Sequence, residues 1–267
     1  MSALRLSEIN IYPIKSARGI SVPSAKLDDR GLEFDRRWMV VDENGHFLTQ
    51  RILPKMAIIG VSLQSDHLSV GARGMQNLTI PLVSPSTKAV RVQIWSDSLD
   101  ALDVGEEAAS WFTEVLGLSC RLVQMPGQGV RSVNPKYAPP DTPVSFADAF
   151  PVLLISTASL ADLNARLAEP VPMNRFRPNI VIDGSGAYEE DSWKCVRVGS
   201  VLFSVVKPCS RCTVPTVNQD TGESGKEPLR TLSTYRVRDS NVYFGQNLIH
   251  ENRGILNVGD AAFPTAR

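Results

Sequence analysis

Residues 201–223, VLFSVVKPCSRCTVPTVNQDTGE, contain the features on which the predicted fold and the predicted site both depend. In VLFSVVKP, apolar residues alternate with others, as they do in a β-strand with one buried face. Cys209 and Cys212 follow, separated by Ser210 and Arg211. A second β-prone run comes next, but a proline inside it disfavours a regular central strand. The sequence therefore predicts that the cysteine pair lies in a loop between two extended segments.

The local sequence leaves the chemistry of this cysteine pair open. Thiolate sulfur is a soft metal ligand and a good nucleophile, and the neighbouring Arg211 guanidinium favours the ionised form. A thioredoxin-like redox pair is one reading, but the residues after Cys212 are poor helix formers. A structural zinc site needs four ligands, and the other cysteines and the three histidines show no ligand spacing. Two loop cysteines without a role are the third reading, because a single CxxC is a weak motif.

The composition is that of an ordinary globular protein without a global charge field. The 267 residues are 43% hydrophobic and 21% charged, which suits one large or two modest domains. Lys plus Arg equal Asp plus Glu at 28 each, so we expect neither nucleic acid nor a membrane as a partner. The N-terminal residues lack the apolar segment of a signal peptide, and no run approaches the roughly 18 apolar residues of a membrane span. We therefore predict a cytoplasmic protein whose cysteines are free thiols or metal ligands.

The N-terminal part of the chain has many short apolar runs separated by turn residues, which is typical of a β-barrel or sandwich. The Asn44-Gly45 pair indicates a tight hairpin, because it supplies the positive φ that such turns need. A helix is predicted over residues 103–117, where Asp103 and Glu106 resemble a capping box. The predicted strands span residues 6–12, 25–27, 38–42, 58–63, 68–70, 78–82 and 89–94.

The C-terminal part opens with a segment rich in proline and glycine, residues 125–151. We interpret it as a surface connection, with a lid over the site as the alternative. The strand PVLLIS then leads into a helix that Ser156 or Thr157 caps. The unpaired N–H groups of its first turn make residues 156–159 a candidate anion site. A short helix is predicted over residues 227–235, and the last strands over residues 242–249 and 255–258.

Basic side chains recur next to apolar strands and indicate possible contacts with an anion. Arg175, Arg177 and Asn179 in NRFRPN suit bidentate contact with a phosphate group. Lys15 and Arg36 lie beside other strands, in YPIKS and DRRW. Each is unremarkable alone, since surface arginines are common. The chain has neither a P-loop nor a complete GxGxxG, so a nucleotide-binding function loses its main support.

Short motifs that extend over nearly the whole chain occur in this order: YPIKS at 12–16, DRRW at 35–38, ISTASLADLN at 155–164, NRFRPN at 174–179, PCSRC at 208–212, then NQDTGE, EPLRTL, FGQN and VGD. In this order they resemble the MOSC-domain proteins, named for the C-terminal domain of molybdenum-cofactor sulfurase. Within that family the chain is most similar to the mitochondrial amidoxime-reducing component and its bacterial relatives. The likeness implies an α+β, predominantly β fold with two β-barrel-like domains and a few peripheral helices. A MOSC N-terminal-like β-barrel domain would span residues 1–122, and a MOSC domain with the cysteine pair residues 123–267.

The resemblance implies an oxidoreductase that depends on the molybdenum cofactor and works without pyridoxal phosphate. Its substrates would be small N-hydroxylated molecules, reduced to amines or amidines by oxygen-atom transfer. Cys212 matches the family's protein ligand to molybdenum and is the predicted catalytic and metal-binding residue, whereas Cys209 would be secondary. The other residues that the resemblance assigns to the cofactor are Lys15, Ser16, Arg36, Ser156, Thr157, Arg175, Arg177, Asn179, Ser210 and Arg211.

Two features of the chain depart from its relatives. It ends at Arg267 without the ferredoxin-like domain that follows in some bacterial relatives, so we expect a separate electron-donor protein. Gln219 stands where the relatives frequently have proline, in a turn predicted over residues 218–222. Two other functions stay open. One is a sulfur carrier or transferase with a persulfide on Cys212, and the other is a non-catalytic protein that binds the molybdenum cofactor.

Overall fold

The computed structural model describes residues 3–127 and 131–266. Strands dominate and α-helices are few, which confirms the prediction of an α+β, predominantly β fold. Within the described residues, no helix is long and apolar enough to cross a membrane. The strands, in chain order, are β1 (Arg5–Ile11), β2 (Ile20–Val22), β3 (Ser24–Asp28), β4 (Gly31–Leu32), β5 (Trp38–Asp42), β6 (Gly60–Leu63), β7 (His67–Gly71), β8 (Leu78–Pro81), β9 (Ala89–Ile94), β10 (Asp97–Asp103), β11 (Cys120–Gln124), β12 (Val152–Ser156), β13 (Ile180–Asp183), β14 (Trp193–Val198), β15 (Val201–Ser210), β16 (Val237–Arg238), β17 (Asn241–His250), β18 (Gly254–Asn257) and β19 (Ala262–Ala266).

The largest sheet joins the two ends of the chain. Its strand order is β19-β14-β15-β17-β12-β13-β1-β2, with β16 paired to β17. The β12–β13 pair is parallel, and the other pairs are antiparallel. Because β1 pairs with β13, the N-terminal segment belongs to the same sheet as β15, the strand that leads to the cysteine pair. The sheet therefore brings YPIKS and PCSRC within reach of one site.

Three smaller sheets complete the β-structure of the described chain. They have the strand orders β5-β11-β10-β9, β6-β7-β8 and β18-β3-β4. The hairpin of β9 and β10 has Ile94 opposite Asp97, which leaves two residues in its turn. The predicted domain boundary after residue 122 falls within β11, which pairs with both β5 and β10. The division into two domains stays a prediction.

The helices are short, and their ends differ from the predicted ones. The predicted capping box is wrong, because β10 extends to Asp103, whose carboxylate bonds to Arg121, and the helix begins after Gly105. Ser156 caps the second helix as predicted, since its hydroxyl oxygen accepts the N–H of Ser159 at 3.0 Å. The third helix is shorter than predicted. The α-helices are α1 (Glu106–Leu116), α2 (Thr157–Asn164) and α3 (Leu229–Leu232), and 3-10 helices span Pro54–Ile58, Met173–Arg175, Glu189–Ser192 and Val214–Thr216.

Two apolar cores fix the segment that carries Lys15. The first lies on the large sheet and includes the buried side chains of Trp193 and Phe203. Burial of such a side chain stabilises a fold by about 1.5–3 kcal/mol. The second packs α1 against β5, β7 and β8. Ile11 belongs to the first core and Ile14 to the second, so the backbone that leads to Lys15 is held from both sides.

The cysteine pair differs from its predicted placement. β15 extends through Cys209, so only Cys212 lies beyond the strand. The segment after it is not extended, because Val214–Thr216 form a 3-10 helix in which Pro215 fixes a helical φ. The prediction of a loop that holds both cysteines between two extended segments is therefore wrong for Cys209 and for the second segment.

Candidate functional site

A cavity of about 130 Å³ lies beside Cys212, where β15 ends. Its walls come from distant parts of the chain, including the segments after β1, before β5, before β12 and before β13. The residues just before β12 belong to the proline-rich segment 125–151, so that segment forms part of the site wall; its residues 128–130 lie outside the described chain. The predicted site residues that line the cavity are Lys15, Ser16, Arg36, Arg177, Asn179, Ser210, Arg211 and Cys212.

Three predicted site residues do not line this cavity, because their side chains bond elsewhere. The Ser156 hydroxyl donates to the buried carboxylate of Glu190 at 3.0 Å. The Thr157 hydroxyl donates to Asp183 at 2.7 Å. The Arg175 guanidinium donates to two backbone carbonyls at 2.7 and 3.1 Å. These bonds hold the start of α2 and connect the 3-10 helices Met173–Arg175 and Val214–Thr216, and none of the three side chains forms part of the cavity wall.

Lys15 presents a buried ammonium group to the cavity. The residue is 5% exposed, and Nζ donates to the Phe146 carbonyl at 2.8 Å and to the Asp148 carboxylate at 2.5 Å. Burial lowers the pKa of Lys15 to about 8, although Asp148 opposes that change. Burial tends to raise the pKa of Asp148, but the charges of Lys15 and Arg51 outweigh it and hold that pKa well below its usual range. Asp148 is therefore ionised at neutral pH and bridges two cations.

Arg51 and Asp148 line the cavity but carry no signal in the sequence. Neither residue belongs to a recognisable motif, and neither was predicted. Arg51 donates to Asp148 at 2.8 Å and also interacts with Cys212. Burial tends to lower the pKa of Arg51, but the charge of Asp148 and the contact with Cys212 raise it overall. The thiol of Cys212 therefore faces a fixed guanidinium group.

The ring of Tyr12 supports two arginines of the cavity. The guanidinium carbons of Arg36 and Arg177 lie 4.4 and 4.2 Å from its centroid. Arg36 also donates to the buried carboxylate of Asp35 at 2.6 Å, and Arg177 donates to the Ala17 carbonyl at 2.7 Å. Burial lowers the pKa of Arg177 to about 10, so this side chain still carries its charge at neutral pH. Stacking on one tyrosine thus holds two cations close together.

Three cavity residues have left-handed backbone conformations that favour glycine. The φ angles of Ser16, Arg36 and Arg177 are 68°, 49° and 56°. Each such conformation costs a non-glycine residue about 1–3 kcal/mol, and such strain concentrates at functional sites. At Arg177 the positive φ follows the 3-10 helix Met173–Arg175 and separates the directions of Arg175 and Arg177. The local backbone is therefore arranged to aim side chains into the cavity.

Arg211 holds the chain on both sides of the cysteine pair. Its Nη1 donates to the Cys209 sulfur at 3.1 Å, and its Nη2 donates to the Phe176 carbonyl at 2.8 Å. Its Nε is buried and has no hydrogen-bond partner among the described residues. Buried donors are almost always paired, so this N–H is available to a ligand or to an ordered water molecule. Cys209 thus orients Arg211, while Cys212 stays partly exposed as a free thiol.

Positive charge dominates the walls of this cavity. A cluster of cations in a partly buried site is costly unless an anion compensates it. Beside these cations lies Cys212, a soft ligand for a metal. The fold and the site define a predominantly β protein with a cationic cavity, chemically suited to an anionic group, next to partly exposed thiols. Among the described residues that line the cavity, the cations are Lys15, Arg36, Arg51, Arg177 and Arg211, and the carboxylate is Asp148.

Comparison with known proteins agrees with this description. Residues 3–119 match the MOSC N-terminal beta barrel domain, and residues 141–262 match the MOSC domain. The chain is 38% identical to mitochondrial amidoxime-reducing component 1 of Mus musculus, over 97% of this chain and 81% of that protein. It is 37% identical to mitochondrial amidoxime reducing component 2 of Rattus norvegicus and 36% identical to component 1 of Homo sapiens, each over 97% of this chain and 82% of the relative. The chain belongs to the MOSC-domain family, in the group of the amidoxime-reducing components.

The predicted cytoplasmic location is wrong. The relatives that match 97% of the chain are named as mitochondrial proteins. The prediction rested on the lack of a long apolar segment. Such a segment marks signal peptides and membrane spans. Mitochondrial targeting uses amphipathic, arginine-rich segments instead, so that criterion does not address it.

Proposed function

We propose that the cavity binds the molybdenum cofactor, that Cys212 is the protein ligand to molybdenum, and that the protein reduces N-hydroxylated compounds to amines or amidines. The observation that carries this proposal is the meeting of two partly exposed thiols, of which Cys212 lies beyond the end of β15, with five cations around a single cavity. The relatives are named for the reduction of amidoximes, which are N-hydroxylated amidines. The chemistry of the site and the names of the relatives support the same function.

The residues of the cavity suit this cofactor. Its pterin carries a phosphate group, and guanidinium and ammonium groups form charge-assisted hydrogen bonds with phosphate oxygens. Lys15, Arg36 and Arg177 would hold these anionic parts, and the buried Nε of Arg211 offers a further donor. Asn179 acts through Arg36, because its side-chain oxygen already accepts from Arg36 at 3.1 Å. Ser16 and Ser210 line the cavity as further polar contacts.

The protein's own groups bind, orient and fix charge. When bound, the cofactor supplies the reduction in which two electrons and two protons convert the N–OH group into N–H and water. Asp148 stays ionised at neutral pH and orients Lys15 and Arg51. Lys15, with a pKa of about 8, is the cation whose charge is lost before that of Arg177 as the pH rises. The affinity of the site for an anion therefore depends on the protonation of Lys15.

The two cysteines provide the test of this function, because one is the proposed ligand and the other is its matched control. Reductase activity is measured on a hydroxylamine with an artificial electron donor. Cys212→Ala is expected to abolish turnover, whereas Cys209→Ala is expected to keep most of it, because the Cys209 sulfur, which also lines the cavity, is engaged by the Arg211 guanidinium. Equal loss in both variants would contradict the proposal and favour a dithiol.

Other outcomes favour the alternative functions. Bound cofactor without turnover would favour a cofactor-binding protein, and a persulfide on Cys212 in metal-free protein would favour a sulfur carrier.

We also propose that electrons reach the cofactor from a separate donor protein. We further propose that the chain divides into two domains, residues 1–122 and 123–267. The division is supported by the two family matches, since residues 3–119 and 141–262 lie on either side of it. The donor protein would approach the face of the molecule where the cavity opens.

A further inference from the structure

A second and larger cavity adjoins the first on the side of Cys212. It has a volume of about 440 Å³ and shares Arg51, Asp148 and Cys212 with the first cavity. Its outer wall includes the indole of Trp95, a residue that is 42% exposed. The ring of Phe150 lines the same cavity. A molecule that reaches Cys212 through this space therefore passes two aromatic side chains.

Trp95 occupies a position where a bulky residue is unexpected. It is the first of two turn residues between β9 and β10, and its φ is 55°. A positive φ at that position of a two-residue hairpin favours glycine, because glycine has no Cβ. A tryptophan there has a strained backbone, and its half-exposed indole gains less from burial than a core side chain does. Such a strained residue beside a cleft indicates a function for its side chain.

The indole is held in place from two sides. The guanidinium carbon of Arg51 lies 4.7 Å from the ring of Trp95, and the ring of Phe47 lies 4.9 Å away. Arg51 also donates to Asp148, so the Arg51 side chain connects the Trp95 ring to the cysteine site. The ring thus has a fixed position relative to Cys212.

A buried arginine fastens the same hairpin to the site loop. Arg131 is 5% exposed, and its Nε donates to Asp97, the first residue of β10, at 2.7 Å. Its other nitrogens donate to the carbonyls of Ser145 at 2.8 Å and Asp148 at 3.0 Å. The Trp95 hairpin and the segment that carries Asp148 and Phe150 therefore form one connected wall.

We propose that Trp95, together with Phe150, binds a planar aromatic ring of the substrate and sets the enzyme's preference for aromatic over aliphatic N-hydroxylated compounds. This inference rests on the proposed function, because it concerns the substrate of the same site. A planar ring stacks on an indole, and an alkyl group of similar size gains less from that contact. Arg51, Lys207 and Arg211 also line the cavity, so a neutral ring is preferred to a cationic one.

The test measures equilibrium binding of benzamidoxime and acetamidoxime without an electron donor, by calorimetry. Trp95→Gly removes the ring and suits the positive φ, so the fold is kept. We expect the affinity for benzamidoxime, relative to acetamidoxime, to fall about tenfold in this variant. Trp95→Phe retains a ring and keeps most of the preference. An unchanged ratio in Trp95→Gly would overturn the inference.

A matched control tests whether any exposed aromatic residue has this effect. Phe263 is 52% exposed and stacks on Arg197 at 4.5 Å, and it lines neither cavity. Phe263→Ala is expected to leave the ratio unchanged, and an equal fall there would also overturn the inference. Turnover of both amidoximes is measured in parallel. If the wild-type protein reduces neither, the proposed function fails, while the binding ratio still decides the role of Trp95.

Discussion

Replacing Lys15 by methionine is predicted to stabilise the cofactor-free protein while weakening its hold on the cofactor. The pKa of Lys15 falls from 10.5 to about 8 because the ammonium group is buried. At about 1.4 kcal/mol per pH unit, the charged form costs the folded state about 3 kcal/mol relative to the unfolded chain. This cost already includes the charge and the hydrogen bond of Asp148, which raise the pKa of Lys15. Methionine removes the cost but leaves the Phe146 carbonyl without its donor and the half-exposed Asp148 carboxylate with Arg51 alone, which offsets about 1 kcal/mol. The net gain in unfolding free energy is about 2 kcal/mol.

The pH dependence of this gain has a defined sign. Because the folded pKa lies below the unfolded one, the cost of the charged Lys15 is fully present below pH 8. The cost disappears as the pH rises from about 8 towards 10.5, where the folded protein has already released the proton. The advantage of Lys15→Met is therefore largest at neutral pH and shrinks in alkaline solution.

Two assays follow the two opposite effects. Thermal unfolding of cofactor-free protein is expected to show a midpoint about 4–8 °C higher in Lys15→Met than in the wild type. Pterin content after purification is expected to fall at least about tenfold, because a charge-assisted hydrogen bond is lost. The control is Lys194→Met, which changes an exposed lysine of β14 and should alter neither value. A lower midpoint together with full pterin content would refute the reasoning.

Three further predictions concern the charge of Lys15, a buried amide pair and a buried aromatic ring. Raising the pH from about 7 to about 9.5 should release cofactor, because Lys15 loses its charge over this range. The pterin content is measured after dialysis at each pH, and equal retention at both values would contradict the prediction. The buried amides of Gln50 and Gln219 bond to each other at 3.1 and 2.9 Å. Each alanine variant should therefore lose about 1–3 kcal/mol of unfolding free energy, measured in urea, and the double variant should lose less than the sum of the two. Strictly additive losses would argue against the pair. Phe176→Ala should lower the free energy of unfolding by about 3–5 kcal/mol, because the ring is fully buried and its centroid lies 4.3 Å from that of Phe244. A thermal midpoint close to that of the wild type would show that the cavity wall does not depend on this ring.

The strands were predicted well where apolar residues form a continuous run or alternate with polar ones. Residues 38–42 match β5, in which four consecutive side chains are buried, and residues 89–94 match β9, whose last three side chains alternate between buried and exposed. The prediction failed at residues 97–103, where three aspartates hide a strand. Their carboxylates face water or pair with cations, which local propensity does not register. Tertiary pairing decided the structure of this segment.

The sequence predicted those site residues that stand in recognisable motifs. It did not predict the residues that only the fold brings to the site. Lys15 and Arg36 stand in motifs that the family shares, and both line the cavity. Arg51 and Asp148 are single residues in unremarkable segments, and only the folded chain joins them to Cys212. Arg175 was assigned to the site together with Arg177, through the NRFRPN motif and the family resemblance. A 3-10 helix and a positive φ send the two side chains to different places.

The bond between molybdenum and Cys212 is the central claim, and X-ray absorption at the molybdenum edge tests it most directly. The measurement counts the sulfur neighbours of molybdenum in the wild type, in Cys212→Ser and in Cys209→Ser. We predict about one sulfur neighbour fewer in Cys212→Ser than in the wild type, and no change in Cys209→Ser. Equal sulfur counts in the wild type and Cys212→Ser, or no molybdenum in the wild-type protein, would contradict the account.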